Sequence, residues 1–128
     1  LIPLAAARRS DAIAVILGVE RYKALPDARF AERDAALMRR YATQAMGIND
    51  DVEHLYYRTG SDVTGGELRK LFGETGWLAR RVTANTDLVV YYAGHGAPDA
   101  TRRTVSMLPT ALPALSRSSA AVDGRCRR

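Results

Sequence analysis

Eight successive apolar residues, Ala12-Ile13-Ala14-Val15-Ile16-Leu17-Gly18-Val19, constrain this chain more than any other feature. A strand wet on one face alternates polar and apolar. An unbroken β-branched run fits a strand covered on both faces, as parallel strands are. A second such run, Leu88-Val89-Val90-Tyr91-Tyr92, follows the turn Asn85-Thr86-Asp87. Between the two lies room for two crossovers. Pro26-Asp27 starts a helix predicted over about 28–46, with Phe30, Asp34, Leu37, Met38, Tyr41 and Ala45 on one stripe and Gly47 as the stop. Val52 to Tyr57 reads as a short strand ended by the turn Arg58-Thr59-Gly60. Thr64-Gly65-Gly66-Glu67 has capping-box spacing, and Leu68, Leu71, Phe72, Leu78 and Val82 extend an amphipathic pattern that Gly73 and Gly76 loosen.

Strand, helix, strand, helix, strand implies an α/β fold with a parallel sheet, right-handed crossovers and the first strand at its centre. The 128 residues suffice for one domain, and one cysteine excludes a disulfide framework. The net charge of +5 points to nucleic acid only until it is divided: residues 1–99 carry 13 basic against 13 acidic residues, and 100–128 carry 6 against 1. The excess belongs to the tail, so no nucleic-acid partner is expected, and apolar stretches well short of the roughly 20 residues of a membrane helix leave no membrane partner expected. The division expected is a linker at 1–10, a folded unit at 11–99 and an irregular basic tail at 100–128. A chain beginning at Leu1 starts inside a longer reading frame or after processing, and the loss of apolar periodicity after Asp99 suggests a native C-terminus of unusual texture or a shifted frame. The compartment is not encoded here; cytoplasmic is the default.

Open α/β sheets bind ligands beyond the carboxyl ends of their strands, which singles out His95 between Gly94 and Gly96. A general base is wanted in that position; the alternative is a turn with an ordinary exposed histidine. Tyr91-Tyr92-Ala93-Gly94-His95-Gly96 resembles the histidine motif of caspase-like cysteine peptidases, the clan of caspases, metacaspases and bacterial relatives. Ala14 to Tyr22 resembles that family's first strand and following loop, and Arg33-Asp34-Ala35 its first helix. The likeness spans about 11–99. It implies a partial caspase-like three-layer fold, a Cys/His dyad with His95 as general base, and a Gly96 N–H that helps hold the oxyanion. It also implies a pocket for a substrate Arg or Lys that includes Asp34, peptide or protein substrates, and no cofactor.

On the residues alone, Asp34 interrupts an apolar stripe, where a buried carboxylate needs compensation; a partner such as Arg33 or Arg58 is the alternative to a substrate cation. The family places its cysteine about 50 residues after the histidine, whereas the one thiol here is Cys126, 31 residues on, with Arg125 and Arg127 beside it and no strand before it. The chain is therefore expected to be inactive as it stands. A non-catalytic interaction module, associating through the open edge of the sheet, is the rival reading. His54 has no ligand-spaced partner and is given no metal role, and Asp50-Asp51 reads as an exposed acidic turn rather than a calcium site.

Overall fold

The computed structural model describes residues 2–4, 7–101 and 103–110. Three parallel strands form the sheet: β1 (Ala12–Gly18), β2 (Leu55–Thr59) and β3 (Asp87–Ala93), in the order β2-β1-β3. Ala14 lies beside Leu55 on one side and Val89 on the other. β1 is therefore central, and all seven of its residues are buried.

Its side chains alternate between two cores, as a pleated strand requires. Ala12, Ala14 and Ile16 meet helix α1 (Ala31–Gln44) through Ala35 and Ala42, together with Ile48 and Leu55. Val15 and Leu17 meet helix α2 (Gly65–Phe72) through Leu68 and Leu71, together with Val63 and Tyr56. The result is helix, sheet, helix, consistent with a partial caspase-like fold. Small residues let α1 approach closely: a Cβ on Gly18 would stand 2.6 Å from that of Ala35 and 2.8 Å from the Ala31 carbonyl oxygen. The first turns of α1 are thereby fixed at the carboxyl end of β1.

Four local expectations are corrected. α1 begins at Ala31, not near 28, because the preceding loop is bound elsewhere: the Ala28 N–H donates to the Glu20 carbonyl at 2.8 Å and the Pro26 carbonyl serves His95. Phe30, in the left-handed region at φ 69°, makes the entry without a side-chain cap. β2 starts at Leu55 rather than Val52. The Asp51 carboxylate accepts from the N–H groups of Glu53 and His54, both at 3.0 Å, and holds 51–54 in a turn. α2 ends at Phe72 and does not run on toward Val82. Gly73 leaves the helix with ψ 160°, and the Trp77 N–H folds back onto the Lys70 carbonyl at 2.9 Å. Its start is as expected, with the Thr64 hydroxyl accepting from the Glu67 N–H at 3.1 Å. The Glu67 carboxylate turns to the Tyr56 hydroxyl and to Arg58, so only half of the capping box forms.

The fourth correction lies beyond β3. The region expected to be irregular from residue 100 contains a strand: β4 (Gly96–Pro98) pairs antiparallel with β5 (Val105–Met107). Asp99 ties the connecting turn, its carboxylate accepting from the hydroxyls of Thr101 at 2.9 Å and Thr104 at 2.8 Å and from the Arg103 N–H at 3.1 Å. These donors hold the Asp99 carboxyl below its usual range, those of Thr104 and Thr101 foremost among them. Three residues per strand show too little alternation to be legible in a sequence.

Candidate functional site

The carboxyl ends of β1 and β3 converge on His95, two residues past β3. Its backbone is held on both sides. The N–H donates to the Tyr22 hydroxyl at 2.7 Å; the carbonyl accepts from the Tyr92 hydroxyl at 2.7 Å and from the Leu108 N–H at 3.1 Å. The two hydroxyls stand 3.0 Å apart, and that of Tyr92 also reaches the Leu108 carbonyl at 2.9 Å. Burial, with the Tyr22 hydrogen bond adding to it, raises the Tyr92 phenol well above the ordinary tyrosine range. The Tyr92 hydroxyl therefore keeps its proton at neutral pH and can supply this network.

The two phenols need the space that Gly94 leaves. A Cβ there would stand 2.5 Å from the Tyr22 oxygen and 2.6 Å from that of Tyr92. The glycine expected to let the strand turn is thus required chiefly by what packs against it.

The imidazole is half-buried against the Tyr22 ring, with centroids 4.8 Å apart and planes inclined at 53°. Nε2 lies 2.7 Å from the Pro26 carbonyl oxygen. A carbonyl only accepts, so Nε2 carries the proton and, in the neutral ring, Nδ1 bears the lone pair. The ring is a base with one nitrogen tethered and the other available.

Gly96 follows in β4, opposite Met107. Ladder bonds join the Leu108 N–H to the His95 carbonyl and the Asp99 N–H to the Thr104 carbonyl at 3.0 Å. Antiparallel pairs alternate between bonded and non-bonded, which puts Gly96 at a non-bonded position with its N–H directed away from β5. The hairpin leaves that amide uncommitted to its partner strand.

Asp34 is exposed in the first turn of α1, contrary to the expectation of a buried carboxylate in need of compensation. The buried face of α1 is Ala31, Ala35 and Ala42; Phe30, Leu37 and Tyr41, 57%, 54% and 45% exposed, stand off it with Asp34. Among the described residues its carboxylate joins no ion pair, and Arg58 pairs with Glu67 instead. Asp34 borders a groove with Ile2, Leu37, Met38, Tyr41 and Tyr91. The start of α1 that carries it is seated through Ala31 and Ala35 on Gly18, the last residue of β1.

Cys126 lies outside the described residues. His54 contacts the Asp51 carboxylate through Nδ1 at 2.7 Å, and Asp50 pairs with Arg39 at 2.9 Å. No group of three or more His, Cys, Asp or Glu side chains is placed to hold a metal ion among the described residues. No described helix is long and apolar enough to cross a membrane.

Sequence reasoning named Tyr22 and Tyr92 only as parts of larger motifs, and it missed Pro26 and Leu108. A proline carbonyl leaves no mark in side-chain chemistry. Two tyrosines far apart in sequence show no common purpose until β1 and β3 are paired.

A family model described as the caspase domain matches residues 11–117. No curated protein and no solved structure matches the chain.

Proposed function

This chain belongs to the caspase domain family, and we propose that it is the histidine-bearing part of a cysteine endopeptidase, in which His95 is the general base. The observation that carries this reading is the tethered imidazole: Nε2 fixed on the Pro26 carbonyl at 2.7 Å, with Nδ1 left as the basic nitrogen. In the complete reaction Nδ1 takes the proton of a cysteine thiol. The thiolate attacks the scissile carbonyl, and the oxyanion forms near the Gly96 N–H. Nδ1 then returns the proton to the leaving amine, and water hydrolyses the thioester. Asp34, a carboxylate free of ion pairs among the described residues, suits a substrate Arg or Lys before the scissile bond.

The chain as given is inactive in this reading. Its one thiol, Cys126, comes 31 residues after His95, short of the family's spacing, and neighbouring arginines make a thiol more acidic without positioning it. A second reading, a non-catalytic module of the same fold, is favoured by that same missing nucleophile.

Hydrolysis of Arg- and Lys-containing fluorogenic peptides is the test. The 128-residue chain should cleave none, and thiol-dependent cleavage lost in Cys126→Ser would overturn its inactivity. Joined to a thiol-bearing segment of a caspase-domain peptidase, the chain should cleave. His95→Ala should then abolish turnover, and Asp34→Ala should raise KM for basic substrates while largely sparing kcat. A folded but inert fusion would favour the non-catalytic module.

A further inference from the structure

We propose that Thr110 is a positioning residue for His95, acting through Tyr22. Thr110 grips the backbone on both sides of that tyrosine: its hydroxyl donates to the Arg21 carbonyl at 3.0 Å, and its carbonyl accepts from the Lys23 N–H at 3.3 Å. Its own N–H donates to the Val63 carbonyl at 3.0 Å. Every polar group of the residue is engaged. Val63 is fully buried in the core on the α2 side, so Thr110 is tied to a rigid base on one side and to a surface loop on the other. Among the described residues, the backbone of residues 21–25 makes no hydrogen bond except these two to Thr110.

The residue held between Arg21 and Lys23 is the one that holds the histidine. The Tyr22 hydroxyl accepts from the His95 N–H at 2.7 Å, and its ring packs on the imidazole. The same loop goes on to Pro26, whose carbonyl fixes Nε2 at 2.7 Å, and it closes where the Ala28 N–H meets the Glu20 carbonyl at 2.8 Å. Leu108, two residues before Thr110, reaches His95 from the other side, donating to its carbonyl at 3.1 Å and accepting from the Tyr92 hydroxyl at 2.9 Å. The residue between them is the buried Pro109, whose ring allows little freedom in φ. Thr110, Tyr22, His95 and Leu108 thus form a closed ring of contacts, which leaves the imidazole little freedom to turn away from Pro26. Without the Thr110 hydroxyl the loop loosens, Nε2 loses its fixed acceptor, and both tautomers become populated. The positioning stands without the peptidase reading; its effect on turnover rests on that reading.

Nitrogen NMR of the full chain reads the tautomer directly, with His95→Ala assigning the signals. At about pH 8.5, where an ordinary histidine is neutral, His95 should show the form protonated at Nε2. Thr110→Val keeps the size and removes the hydroxyl, and it should bring both ring nitrogens toward the averaged positions of a free histidine. Thr110→Ser restores the hydroxyl and should restore the original positions. Ile48→Val, in the core under α1, should lower the melting temperature and leave those resonances unmoved. In the thiol-bearing fusion, Thr110→Val should lower kcat about tenfold with little change in KM. Unmoved resonances in Thr110→Val overturn the proposal, and Thr110→Ala decides by the same criterion if the valine variant folds poorly. Resonances displaced as far by Thr110→Ser or by Ile48→Val overturn it too, since the hydroxyl would not be the cause. A fusion inert with Thr110 intact would count against the peptidase reading alone, while the resonances still decide the role of Thr110.

Discussion

β1 and β3 are seven-residue strands of nearly the same character, paired side by side over their whole length. β1 is buried at every position, whereas β3 leaves three of its seven residues exposed and none fully buried. Their composition does not distinguish them. The difference arises because β1 has a strand on each side and a helix on each face, while β3 has a single described strand neighbour. Central placement converts apolar residues into core, and edge placement leaves the same residues as surface available for contact. Both strands nonetheless deliver their carboxyl ends to one place, where the Val19 N–H donates to the Ala93 carbonyl at 2.8 Å and His95 follows.

The contrast breaks most readily at its largest expected effect. Ile16, fully buried at the centre of β1, should cost about 2–5 kcal/mol when changed to Ala, measured by denaturant unfolding. Val90→Ala should cost well under about 1 kcal/mol. Equal losses would show that β3 is as enclosed as β1.

Next comes the end the strands share. Gly94→Ala forces a methyl group against both tyrosine hydroxyls and should cost about 1–3 kcal/mol, since the His95 N–H loses its acceptor. Tyr22→Phe removes the same acceptor without the clash and should cost about 1 kcal/mol. Both should shift the imidazole nitrogen resonances of His95, because the Tyr22 ring packs on that ring. Unmoved resonances would show that Tyr22 does not position His95.

The smallest effect concerns alkali and compares the two flanks of β1. Tyr56 on β2 is pushed up to about 12 by burial and by its hydrogen bond to Glu67, and Tyr92 on β3 is raised by burial and Tyr22. A phenol whose folded pKa lies above its unfolded one favours the folded state below about pH 10, and that stability is lost as pH rises through the folded pKa. Thermal melting temperature should therefore fall from about pH 10 upward. Tyr56→Phe should flatten the part of the decline between about pH 10 and 12; an unchanged profile would remove Tyr56 as its source.

The sheet and its central strand were legible because burial on two faces demands an unbroken apolar run, and the runs at 12–19 and 88–92 have no other economical reading. His95 was legible for a related reason: glycines flank it where such a run ends. Boundaries were less so. The chain from Pro26 to Phe30 has the residues of a helix start, but its backbone groups are taken by Glu20 and His95, which lie in other parts of the sequence. Likewise Asp34 appears interior on a helical stripe. The close seating of Ala31 and Ala35 on Gly18 turns the helix so that smaller side chains face the sheet and Asp34 faces water.

By itself, then, the sequence determined which segments form the parallel sheet, which of its strands is central and which end of it carries the histidine, since these follow from local hydrophobicity and chain order. Only the tertiary structure decided which imidazole nitrogen is free, that Tyr22 and Tyr92 hold the histidine backbone, and that β4 and β5 close beneath it. Each of those depends on backbone carbonyls, amides and hydroxyls brought together across tens of residues, and a hydrogen bond between distant groups has no signature in the order of side chains along the chain.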